Sequence, residues 1–378
     1  MKRLVASLAL LTTACSTTTR QAEPPATQAA APAPVPQAPP PAQASAPTPP
    51  SRIFTFGGVE VFGSRKVPQE KLLELMAFPA PGTPVDPGSQ EFIQRLMESK
   101  KRLTSAYAFA FSRLSVVEWA PTRTVRVTVE LVDAGDEWRM PFSPEPQGDI
   151  AEDPEGLMAA WKDWLKKLWK LRSEGVLPGE TAPTCRAPIG CYGRFDHPEL
   201  EPLEQRFVDG VPRNVDALVR VAREDKNPGK RQTAVMLLGY MTSREQFVQA
   251  VLPSVRDPDF GVRNEALRLL GAAQKDQKRI IIPLETVLEA LWYPMGTDRN
   301  KAGWALVRIV ETEGAVHRQQ ILDKAGEVLV EMAGAQQEID HQPARKVLAV
   351  LAGRDFGDDV AAWRRWFEQA RGPGSAHP

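Results

Sequence analysis

The chain has 378 residues, 42% of them hydrophobic, which is enough for two or three domains with apolar cores of their own. Its 47 acidic and 47 basic side chains cancel, so nothing in the overall charge draws it to nucleic acid or to a membrane surface. Pro is abundant at 35, but much of the excess falls in one segment and points to a linker.

Residues 1–15 have the features of an export signal. Lys2 and Arg3 form a basic start, and Leu4 to Leu11 form an apolar run too short to span a bilayer. Thr12-Thr13-Ala14-Cys15 follows and resembles the lipobox of bacterial lipoproteins, with Thr12 where Leu is usual. The resemblance implies lipid attachment at Cys15. With Ser16 next in the chain, it also implies the outer membrane, facing the periplasm. The alternative is an ordinary secretory signal with an incidental cysteine. Residues 16–52 are then a tether: positions 21–50 alone hold 11 Pro and 10 Ala, a composition that cannot bury a core. At ~3.1 Å per residue, thirty such residues reach ~90 Å.

Residues 53–135 are expected to form a small α+β domain. Val59 and Val61 mark a first strand, Leu72, Leu73 and Met76 a short helix, and Phe78 to Gly88 a loop. A second helix runs from about Ser89 to Tyr107, with Phe92, Ile93, Leu96, Met97, Leu103 and Tyr107 on one face. A strand from about Phe111 to Trp119 precedes the clearest alternation, in which Val125, Val127, Val129 and Leu131 interleave with Thr124, Arg126, Thr128 and Glu130. That alternation predicts one buried face and one wet face. The order strand-helix-helix-strand-strand, with Val59-Glu60-Val61-Phe62-Gly63 and the Gly82-Thr83-Pro84-Val85 loop, resembles the POTRA domains of envelope proteins. The resemblance implies a partner chain added at the sheet edge, placed at Arg113, Ser115, Val117 and Trp119.

Residues 136–210 form a connector, irregular and Pro-rich up to 156. The helix from Leu157 to Leu171 then carries Trp161 and Trp164 on its apolar side and five charged residues on the other. Packing against neighbouring helices is the preferred reading, with a membrane-interface helix as the alternative. Cys185 and Cys191, close together in an exported chain, are expected to form a disulfide; with His197 they offer too few ligands for a zinc module.

Residues 211–371 carry a repeat: Arg, then a small or apolar residue, then Leu or Ala, usually with Gly next. It appears at Arg231, Arg263, Arg299 and Arg345, at steps of 32, 36 and 46 residues. The turn Asn227-Pro228-Gly229 precedes the first copy, and Asp257-Pro258-Asp259 the second. Together with Ala266 and Leu269-Leu270-Gly271 these resemble the inner helices of HEAT repeats. That likeness implies an all-α superhelical stack in which turn Asp and helix Arg bond between repeats, Asp225 with Arg231 and Asp257 with Arg263 fitting the pair. By the same pattern Asp298 stands too late in its turn. Trp363 and Trp366 fit a closing helix that caps the apolar end.

No catalytic motif is present. His197, His317, His341 and His377 lack metal or triad spacing, and there is no nucleophile elbow or phosphate loop. Asp355, Asp358 and Asp359 are read as helix-start caps. The expectation is a non-catalytic, lipid-anchored envelope adaptor that binds protein partners, without cofactor, metal or nucleic acid. The alternatives are an envelope hydrolase using acids such as Glu180, Asp196 and Glu199, and a purely structural envelope protein.

Overall fold

In the computed structural model, residues 52–177, 184–191 and 193–371 are described. The export signal with Cys15, the Pro/Ala-rich tether and Glu180 lie outside them. The described residues fall into one compact unit.

The first part is a mixed sheet with two helices. Its elements are β1 (Phe54–Phe62), α1 (Gln69–Leu73), β2 (Pro84–Val85), α2 (Gln90–Ala106), β3 (Phe109–Trp119) and β4 (Thr124–Asp133). The strand order is β2-β1-β4-β3, with β1 parallel to β4 and β3 antiparallel to it. β2 lies inside the stretch expected to be plain loop. The register of β1 against β4 shifts between Phe56 and Val59. This bulge at Gly57-Gly58 reverses the side-chain parity. Phe54, Phe56, Val59 and Val61 therefore all pack toward the two helices, leaving Glu60 and Phe62 for the opposite side.

α2 lays Phe92, Leu96 and Leu103 on Val125, Val127, Val129 and Leu131. Ile93 and Met97, expected on the same face, are 46% and 68% exposed. They are one residue, or about 100°, round the helix from Phe92 and Leu96. The buried stripe continues instead through Ser99, whose hydroxyl accepts the Ala77 N–H at 2.8 Å and closes the loop between the helices.

The expected wet face of the sheet is not wet: Glu60, Thr128 and Glu130 are all buried. The helical part of the chain covers them. It comprises α3 (Leu157–Ser173), α4 (Glu201–Gly210), α5 (Val215–Glu224), α6 (Pro228–Leu238), α7 (Arg244–Val251), α8 (Phe260–Gln274), α9 (Leu284–Ala290), α10 (Gly296–Gly334), α11 (Glu338–Ala352) and α12 (Val360–Ala370). α6 packs on α8, α8 on α10, and α10 on α11 and α12. α10 is two rods in one run, because Glu313 is non-helical at φ −140° and separates 296–312 from 314–334. α3 buries Trp161 and Trp164 against Phe195 and Phe207, so its Trp face is a packing face. Among the described residues no helix is long and apolar enough to cross a membrane.

Candidate partner-binding site

Three of the repeated arginines form a buried ladder. Arg231 grips the Asp257 carboxylate with Nε and Nη2 at 2.8 and 2.7 Å, while its Nη1 donates to the Asp225 carbonyl at 2.9 Å. Arg263 repeats the arrangement one step on, holding Asp298 at 2.8 Å and the Asp257 carbonyl at 2.8 Å. Arg299 reaches Asp340 at 3.3 Å and donates to the Tyr293 and Pro294 carbonyls. Each arginine thus ties its own turn to the carboxylate of the next. A planar fork suits that task better than a lysine ammonium. Asp298 is a full member of the ladder, contrary to its expected misplacement: its partner is the preceding arginine, 35 residues earlier. Asp225 uses its side chain elsewhere, accepting the Ile150 and Asn227 N–H groups and pairing with Lys230 at 3.1 Å. Arg345 stands outside the ladder. It donates to the Ala333 carbonyl at 2.9 Å and pairs with the exposed Asp358.

The connector runs along this ladder as a strap. The Glu145 carboxylate lies 3.8 Å from Arg231. The Phe142 ring lies 3.8 Å from the Arg263 guanidinium. Ser143 N–H donates to the Arg256 carbonyl at 2.7 Å, and Lys226 N–H to the Gly148 carbonyl at 2.6 Å. The sheet completes the cover. Phe62 stacks on Arg299 at 3.6 Å, and Glu130 stands 3.6 Å from the same guanidinium while accepting the Gly296 N–H. Glu60 accepts the Gln336 N–H at 2.7 Å, and Glu331 accepts the Gly63 N–H at 3.1 Å. Gly63 has φ +93°, and a Cβ there would sit 2.5 Å from the Leu131 carbonyl, so this corner admits only glycine. Burial pushes the carboxyls of Glu60 and Glu130 above their ordinary range, and pushes Asp298 up to about 6.

The arginine edge of the helical stack is therefore occupied by the chain itself. The sheet edge expected to take a partner strand is placed differently. β3 borders the sheet, and among the described residues no strand pairs with its outer side. Arg113, Ser115, Val117 and Trp119 share one face of it. Arg113 lies over the Phe260 ring at 4.7 Å and Ser115 donates to Glu130 at 2.5 Å, so the side chains brace the sheet against the helices.

Cys185 and Cys191 form a disulfide. Its loop lies across the end of α6: the Ile189 N–H donates to the Gly239 carbonyl at 3.2 Å, and Gly190 abuts Ala272 of α8. His197 Nδ1 accepts the Glu199 N–H at 3.2 Å. Asp196 is bonded to Arg194 and, at 2.7 Å, to the Thr184 hydroxyl, and these partners hold its carboxyl well below the usual range. Among the described residues no group of three or more His, Cys, Asp and Glu is placed to hold a metal ion. Asp359 caps α12 through the Ala362 N–H at 2.9 Å.

Two grooves went unread in the sequence. The larger, about 570 Å³, is bordered by Trp138 and Trp292, whose rings are 5.3 Å apart; of its cations, Arg65 and Lys324 are paired with Glu327 and Glu285, and Arg371 lies over the Phe367 ring. The smaller, about 320 Å³, lies between α8 and α10 and is lined by Arg268, Lys275, Lys301 and Arg308 with no carboxylate. Its sequence signal was the seven-residue step between basic residues, 268 to 275 and 301 to 308, which places the second pair on one face of α10 and the first at Arg268 of α8 and at the residue that ends that helix. No family model matches the chain, and no curated protein matches it.

Proposed function

We propose that this protein is a non-catalytic adaptor of the cell envelope, held at the outer membrane through lipid on Cys15 and facing the periplasm, that binds protein partners. In this reading the sheet region is POTRA-like and the helical region is a HEAT-like stack. The observation that carries it is β3, an eleven-residue strand at the border of a sheet that is covered on both faces yet carries no strand beyond it. A row of unpaired backbone groups is a template for an added strand. Here it belongs to a rigid support, because β3 is braced from behind by Glu130 and Phe260.

The titratable groups support the same reading. Among the described residues the buried carboxylates Asp298, Glu130 and Glu60 are bonded to arginine or backbone donors, and Asp196 is held by Arg194 and Thr184, which favours a structural use of these acids.

The test is photocrosslinking in cells from two positions, Val117 on β3 and Thr128 on the covered face. A partner that recurs from Val117 and is absent from Thr128 supports the adaptor. Absence of any recurrent product from Val117 counts against it.

A further inference from the structure

The groove between α8 and α10 is lined by four cations and no carboxylate. We propose that it holds an acidic, amphipathic segment of a partner protein, with carboxylates on Arg268, Lys275, Lys301 and Arg308 and an apolar side chain on the floor between them.

The floor is made by Gly271, Ala272, Trp304 and Ala305. A Cβ on Gly271 would sit 3.4 Å from the Ala305 backbone, so the two helices approach closely and leave a shallow trough above the contact. The cations stand at its corners. Seven residues along a helix span about 10.5 Å, and packed helices lie about 8–10 Å apart. A compact anion meets at most one or two corners and leaves the apolar floor bare. A segment with carboxylates about 10 Å apart and a small apolar group between them meets all of it.

The chain's own carboxylates answer only part of this charge. Arg268 is bonded to Glu265 at 3.1 Å and Arg308 to Glu311 at 2.8 Å. Lys301 donates to an amide oxygen, Asn300 Oδ1 at 2.8 Å, and shares the field of the same Glu265 carboxylate with Arg268. Lys275 makes no ion pair among the described residues, and Lys346 of α11 adds a cation over Trp304 at 4.7 Å. Five cations thus face two carboxylates, in a chain whose totals balance at 47 each. The surface of α2 shows the contrast: there Glu91 pairs with Arg95 and Glu98 with Arg102, turn after turn. Lys301 also carries a penalty, since burial and then Arg268 push its ammonium down to about 8. A carboxylate at that corner relieves the penalty.

This surface is separate from β3, so each proposal can fail alone. Displayed twelve-residue peptides are selected without bias on the full chain, and the enriched sequences are measured by fluorescence anisotropy. The expected result is enrichment of Asp and Glu around an apolar residue. Binding should weaken at least tenfold in Lys275→Glu/Arg308→Glu and recover when the peptide's acids are replaced by Lys. Lys275→Glu alone, at an exposed position, should weaken it in the same direction and guards against misfolding of the double variant. Three outcomes overturn the proposal: no acidic enrichment, affinity within twofold in the double variant, or binding of phosphatidylglycerol vesicles or a single-stranded oligonucleotide where no peptide binds.

Discussion

The two faces of β4 are both covered, by opposite means, the polar one fully only from Thr128 onward. Toward α1 and α2 it presents Val125, Val127, Val129 and Leu131, which pack by area alone. Toward the helical stack it presents Thr128 and Glu130, which are bonded to Gln337 at 3.1 Å and to Gly296 and Arg299. The apolar face tolerates small shifts, because dispersion and hydrophobic burial are not directional. The polar face does not: a buried carboxylate displaced from its donors loses far more than a displaced methyl. The apolar face thus builds the sheet region, and the polar face sets where that region sits on the ladder.

The sharpest way to break this difference is Arg299→Ala, which removes the cation shared by Glu130 and Asp340 and the platform under Phe62. Loss of one partner of a buried ionic group costs roughly 3–5 kcal/mol. Urea unfolding should show that drop, and a change below ~1 kcal/mol would mean the polar face is not a lock. Leu131→Ala attacks the other face and should cost roughly 2–5 kcal/mol, the cavity-forming range for a buried leucine. Native-state hydrogen exchange should then show loosening centred on α2 and β4, whereas Arg299→Ala should expose the strap and the start of α10 first.

The entry to the helical stack uses a third means, a covalent one. Cys185→Ser/Cys191→Ser opens a short loop, for which chain entropy gives about 2 kcal/mol. A double variant that melts like the parent would show the bridge to be dispensable.

Acidity separates the two faces of β4 directly. Asp298 has its ordinary value of 3.8 raised to about 6 by burial, and Glu60 and Glu130 move the same way. A carboxyl whose folded pKa is raised binds its proton more readily in the folded state. Its contribution is fully present below the unfolded value and is lost as pH rises through the folded one. These groups should therefore raise the melting temperature as pH falls from about 6 toward 3.8. Asp298→Asn should flatten that slope, and Leu131→Ala should leave it unchanged. The smallest effect belongs to Arg345→Ala. Its partner Asp358 is 93% exposed, so the pair contributes at most ~1 kcal/mol and should be screened by salt. A loss as large as that of Arg299→Ala would place Arg345 inside the ladder after all.

Much of this was readable before the fold. The first two arginines follow their turn aspartates by six residues, a local spacing, and the structure uses that spacing for the Arg-to-carbonyl bonds. The carboxylate partners were less readable, since they lie 26, 35 and 41 residues downstream, distances that vary with each turn and helix. Asp298 was misjudged for that reason. The parity change at Gly57-Gly58 left a trace in the sequence, since the apolar positions step from Phe54 and Phe56 to Val59 and Val61 across the glycine pair, but a strand expected to begin at Val59 does not include that step.

By itself the sequence determined most of the elements, though not β2, together with the apolar core of the sheet, the disulfide and the repeated arginines, all of which rest on contacts or periodicities a few residues long. Only the tertiary structure decided that the polar face of β4 and the Pro-rich connector lie against the arginine ladder. Alternation reports that a side chain is polar, and polar groups are satisfied equally by water and by a matched protein partner. Which of the two a residue meets depends on surfaces more than a hundred residues away, as the bond from Gly296 to Glu130 across 166 residues makes plain.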